Sequence, residues 1–430
     1  MKKIASILLL LSMLLSLAAC GGGASLETEE EILPTKTDSG IVKLDVLPNE
    51  KRVYEPLTWE KINSIPVANS SMSTDELRKI CLDYFHLQMT FGWTPSADWD
   101  VTVGRDDEYK VGLVYGGIPY VSSTCSNVYK WMCFYDEKTG VMDIPSVGKG
   151  TDVQNILGSQ CSGTAYAAWS RVSNSFTWDG TSDINPAHNI ILIGPYTYDT
   201  SIVDFHEAKI HTKEDIADAN GKEVMFASYA ALQPADGLFF YHETAGHVIM
   251  CYKNEVVRDE NGAIDGQKSR ILYYGQTAST INLTQENKIN MERQRDVQVQ
   301  FSYNELYDRG YLPFGIKELH GLDPVEKAVA GCTAPAGSVT PDQLRDAKVT
   351  SNYAISVIET RVYENGTDKV LFEKKAPVTD WPYLHIEEEL LGKFSSTELK
   401  KYADGKNTVE ISIRVNTGEL LQAYTAILAQ

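Results

Sequence analysis

Basic residues are in short supply in this 430-residue chain. Its 39 Lys and Arg face 58 Asp and Glu, a formal net charge of −19, and no basic cluster follows residue 20. This composition argues against nucleic acid as a partner, because binding it requires groups that neutralise phosphates. An acidic surface also tolerates cationic or zwitterionic substrates better than anionic polymers. Cysteine is thin as well: there are 7, at positions 20, 81, 125, 133, 161, 251 and 332. A chain this long buries a large core and has no need of a disulfide framework. Most of these cysteines are expected as buried thiols, with a Cys125–Cys133 bridge left open.

What is present begins with an N-terminal address. "MKK" is a positive segment, "IASILLLLSMLLSL" an apolar one, and "LAAC" ends on Cys20 after small residues. The apolar run is short for a membrane-spanning helix, which needs about 20 residues. The pattern resembles a lipoprotein signal peptide over residues 1–20. That resemblance implies cleavage before Cys20, a lipid on its thiol, and a location at the outer face of the cell membrane. Residues 21–45, rich in Gly, Ser and Glu, read as a flexible tether.

The remaining length exceeds one ordinary core. Ser73-x-x-Glu76 is a capping box, and Leu77, Ile80, Cys81 and Tyr84 follow at helical spacing, so a helix is expected over about 74–91. Cys161 opens a second helix with Ala165, Ala168, Trp169 and Val172 on one face. "TKEDIADAN" reads as a third, stopped by Gly221. Apolar runs separated by turn signals then predict strands. The composition breaks at "GCTAPAGSVTPDQL". Beyond it, hairpins are expected around Asn365-Gly366 and Thr417-Gly418. Residues 46–330 thus form one domain and 335–430 a β-sandwich of immunoglobulin-like kind.

The chemistry centres on "GSQCSGTAYAAW". A thiolate at a helix N-terminus is favoured by unpaired N–H groups and the positive end of the dipole. Ser162 and Gly163 sit beside it, and Gly163 lets a substrate carbonyl approach the backbone. A thiolate nucleophile needs a base, and the candidate is His247, heading the apolar strand "HVIMCY". If the Asn261-Gly262 turn centres a hairpin without a bulge, Gln276 lies opposite His247 on the same face and orients it.

These pieces in this order resemble the NlpC-type, papain-like cell-wall cysteine peptidases: "GGIPYV", then "CSG" opening a helix, then "LQPADGLFFY" and "GHVIMCY". The resemblance covers about 116–280. It implies an α+β core in which the helix-start Cys packs on an antiparallel sheet, and a Tyr120 that lines the active site. It also implies hydrolysis of amide bonds in peptidoglycan stem peptides, with Cys161 attacking, His247 shuttling the proton and Gln276 orienting. No metal or other cofactor is needed. The chain departs from the pattern: Gln160 replaces the usual Asp, "PAD" replaces "PGD", and an insertion is expected over 122–157.

Two other readings compete. One is a catalytically inert papain-like lipoprotein that binds a wall component or partner protein. The other is a structural lipoprotein whose sandwich contacts another protein. A zinc reading of "HETAGH" fails, because its HExxxH spacing does not give the i, i+4 helical geometry.

Overall fold

Ser73 starts helix α1 (Thr74–Thr90) as its capping box requires. Its hydroxyl accepts from the Glu76 N–H at 3.3 Å, and its own N–H donates to the Glu76 carboxylate at 2.8 Å. Leu77, Ile80, Cys81 and Tyr84 are buried, as their spacing predicts, and Phe85 and Met89 extend the stripe. The computed structural model describes residues 54–430 apart from 103–105, 110, 120–125, 145–156, 176–183, 185, 187–189, 203, 244, 277–298 and 379–385. The signal segment, the tether, Cys20, Tyr120 and Cys125 lie outside the described residues.

Helix α2 (Cys161–Trp169) is buried along its whole length, where the sequence marks only one face. Its position explains this, since it packs on α1 and on the central sheet together. Small residues (Gly163, Ala165, Ala167, Ala168) allow both approaches. "TKEDIADAN" is helical but not a regular α-helix. Thr212–Ala217 forms wide π-type turns that run into Asp218–Asn220. Gly221, at φ 80°, ends the segment, and α3 (Lys222–Ala230) begins at once.

The central sheet holds β1 (Ile190–Leu192), β2 (Gly237–His242), β3 (Ala245–Glu255), β4 (Arg270–Tyr274), β5 (Val299–Ser302) and β6 (Leu312–Ile316). Their spatial order is β5-β4-β3-β2-β6-β1, antiparallel throughout. A short helix, α4 (Tyr303–Asp308), joins β5 to β6. Direct cross-strand partners share a face, so Tyr274, Met250, Gly237 and Phe314 form one row. Helices α1 and α2 cover that face. Phe85 stacks on Tyr274 at 5.6 Å, and Trp169 meets Phe314 edge-on at 5.3 Å.

A second core follows. Strands β7 (Ala330–Cys332), β8 (Gly337–Val339), β9 (Lys348–Ser351), β10 (Ile355–Glu364), β11 (Val370–Pro377), β12 (Glu387–Glu389), β13 (Asn407–Val415) and β14 (Leu420–Leu428) make two sheets. One has order β7-β9-β12 and the other β8-β14-β13-β10-β11. Val349, Ile358, Ile411, Ile413 and Leu428 are among the residues of a single core that both sheets share. The Asn365-Gly366 and Thr417-Gly418 hairpins form as expected, with Gly366 at φ 74° and Gly418 at φ 100°. The chain is thus mixed α+β, built on several antiparallel sheets; the short β8 pairs parallel with β14.

A buried polar seam joins the two cores. The Asn127 amide donates to Ser356 Oγ at 2.8 Å, and the Asn416 amide to Ser170 Oγ at 2.9 Å. Arg171 donates to the Tyr129 hydroxyl and to the Ile65 and Pro66 carbonyls at 3.2 and 3.1 Å. The turn at Gly418 sits so close that a Cβ there would overlap both Arg171 and Tyr129. Part of the expected 122–157 insertion therefore anchors the second core through Asn127 and Tyr129.

Candidate active site

Cys161 is the first residue of α2 and is 5 % exposed. Gln160 holds the N-cap position in extended backbone (φ −104°, ψ 176°), and its side chain does not cap the helix. The positive end of the α2 backbone dipole lies at Cys161, which favours negative charge at the sulfur. Ser162 and Gly163 are buried in the same turn. The Ser162 hydroxyl has no hydrogen-bond partner among the described residues.

His247 lies near the start of β3, directly opposite Phe240 on β2. It is half-buried. Burial, helped by the nearby Arg309 guanidinium, pushes its imidazole down to about 4. Arg309 caps the C-terminus of α4. His247 is thus neutral over the physiological range, the form a general base requires.

Gln276 does not sit where the unbulged hairpin placed it. The Asn261-Gly262 turn is present, with Gly262 at φ 84° and an Arg258–Ile264 bridge. A further turn then intervenes, in which the Asp265 carboxylate accepts from the Gln267 and Lys268 N–H groups. A bulge between Leu272 and Tyr273 shifts the ladder again, and Tyr273 pairs with Cys251 and Tyr274 with Met250. Carried two residues on, this register sets Gln276 level with Val248, on the opposite face from His247. Its amide is engaged there: it donates to the Ile118 carbonyl at 2.8 Å and accepts from the Thr164 hydroxyl. Gln276 therefore locks α2 to the segment after "GG" and does not orient His247.

Strand alternation also sets His247 on the face away from the one that α1 and α2 cover. Its face carries Phe240, whose ring is 6.5 Å from the imidazole and 5.0 Å from the Tyr311 ring. Tyr311 is 1 % exposed. Burial first, then Tyr273 and Cys161, holds its hydroxyl well above the ordinary range, so the Cys161 thiol lies within electrostatic reach of it. Tyr311, Phe240 and Arg309 are neighbours of the candidate pair that the sequence did not single out. No local motif marks them, since β6 and α4 reach the site only through the sheet order.

Other expected residues take structural roles. The Asp of "PAD", Asp236, is fully buried and pairs with Arg78 at 2.9 Å and with His320 at 2.8 Å. Cys81, Cys161 and Cys251 are buried free cysteines, and Cys133 and Cys332 are half-buried free cysteines. "HETAGH" spans the β2–β3 hairpin rather than a helix. Comparison of the chain with family models, curated proteins and solved structures finds no match.

Proposed function

We propose that this chain is a lipid-anchored cysteine peptidase or amidase of the cell envelope. It has a papain-like core of NlpC type followed by an immunoglobulin-like sandwich. The observation that carries the reading is a cysteine at the first turn of α2, a helix that packs on β3, the strand whose other face carries His247; the meeting of the two side chains belongs to the proposal. In this reading Cys161 attacks an amide carbonyl of a peptidoglycan stem peptide. His247 takes the thiol proton and returns it to the leaving amine, and N–H groups of the first α2 turn hold the oxyanion. Water then releases the acyl group. Tyr120 belongs to the substrate side of this proposal, and the lipid on Cys20 holds the domain at the outer membrane face.

A specific observation favours the second reading, an inert papain-like binding protein. Gln276 is committed to Thr164 and Ile118, and His247 lies opposite Phe240, whose ring meets that of Tyr311. One experiment separates the two. The full chain and its Cys161→Ala variant are incubated with purified peptidoglycan, and released peptides are identified by mass spectrometry. New amine termini that appear only with the unmodified chain support the peptidase. Retention on peptidoglycan without release, equal for both proteins, supports the binding protein.

A further inference from the structure

A cleft of about 600 Å³ opens along α1 from Asp75 to His86, against the Gln233-Pro234 turn and the side chains of Tyr252 and Tyr274. This volume lies within the ~300–1,000 Å³ range of small-molecule sites. We propose that it is a binding site for a neutral saccharide ring, separate from the Cys161 chemistry.

Arg78 lines the cleft and is 3 % exposed. One terminal nitrogen donates to the Pro234 carbonyl at 2.5 Å and to Asp236 at 2.9 Å. The other donates to the Leu319 carbonyl at 2.8 Å and lies 3.1 Å from His320. Its Nε–H is buried and has no partner among the described residues. A buried donor without an acceptor is rare and costly, and it belongs to a side chain that lines the cleft.

The charges select against an ionic ligand. Arg78 is balanced by Asp236, and Lys79 by Asp83 at 2.6 Å. Burial lowers the pKa of His86, which keeps the ring neutral. Asp75 is the one lining charge without an ion partner among the described residues, and it repels anions. The walls are apolar as well as polar. Tyr252 is half-buried and tilts against Tyr274 at 5.1 Å, and Leu82 and Pro234 continue the apolar side. An occupant must offer an apolar face to Tyr252 and uncharged hydroxyls to Gln233 and the rim carboxylates. A sugar ring has both.

The test is isothermal titration of the full chain with the neutral β-1,4-linked tetramer of N-acetylglucosamine. Saturable binding is expected, with a Kd on the order of 1 mM. Tyr252→Ala should weaken it about tenfold through lost stacking, Tyr252→Phe should keep it, and Asp83→Ala should weaken it severalfold. Cys161→Ala should leave it unchanged, so this result is independent of any hydrolysis. The proposal is overturned by an absence of saturation up to about 20 mM, more than tenfold above that Kd. Equal affinity in Tyr252→Ala and Asp83→Ala, or displacement of the sugar by inorganic phosphate, overturns it as well.

Discussion

The depressed imidazole of His247 makes the fold sensitive to acid in a calculable way. The group titrates near 6.5 when solvated and at about 4 in the folded chain. Between those values the unfolded chain binds the proton and the folded chain does not. Stability therefore rises with pH through this window and is lost as pH falls from about 6.5 to about 4. The full loss is about 3 kcal/mol at 1.36 kcal/mol per pH unit, of which about 1.4 kcal/mol has gone by pH 5.5. Carboxylates titrate in the same range, so the measurement is a difference. Urea unfolding of the unmodified chain and of His247→Gln is followed at several pH values between about 4 and 7. The variant loses packing at every pH, which gives a constant offset. Superimposed on it, the unmodified chain should lose roughly 3 kcal/mol relative to the variant on acidification. A difference that stays flat across the window would refute a neutral, desolvated His247.

Three more outcomes follow from the packing. Gln276→Leu removes the partner of the Ile118 carbonyl and of the Thr164 hydroxyl, and should cost about 1–3 kcal/mol in urea unfolding. The same variant should leave the pH dependence of Cys161 alkylation unchanged, because Gln276 does not hold His247. Arg78→Met leaves the buried Asp236 carboxylate with only His320 and the Gln233 N–H among its described partners and should cost about 3 kcal/mol, read as a lower urea midpoint. Gly418→Ala forces a side chain onto Arg171 and Tyr129 at φ 100°. It should destabilise by about 1–3 kcal/mol and make the link between the two cores more sensitive to limited proteolysis.

Much of the fold was legible because local rules acted alone. The Ser73–Glu76 box, the Gly221 stop and the Gly366 and Gly418 hairpins depend on a few adjacent residues and form as their chemistry dictates. The start of α2 at Cys161 was legible for the same reason. The position of Gln276 was not. It depends on how many residues the loop after Asn261-Gly262 consumes, and the Asp265 turn and the Leu272 bulge each shift the register. With a side-chain period of two, a one-residue slip changes the face. Tyr311 and Arg309 were invisible for another reason: they approach His247 through strands distant in sequence. The burial of all of α2 was likewise unreadable, because one apolar stripe does not reveal a second neighbour on the other side.

In the proposed mechanism His247 serves Cys161 as its base. The direct measurement is the rate of Cys161 alkylation by iodoacetamide against pH, with each cysteine resolved by peptide mapping, in the full chain and in His247→Ala. The rate should stay nearly level from about pH 6 to pH 8 and fall only as His247 protonates. In His247→Ala the rate should climb with pH as for an ordinary thiol, whose pKa is about 8.5. A Cys161 that reacts only above that value in both proteins, or in neither, would contradict the pairing and leave an envelope-binding protein in place of a peptidase.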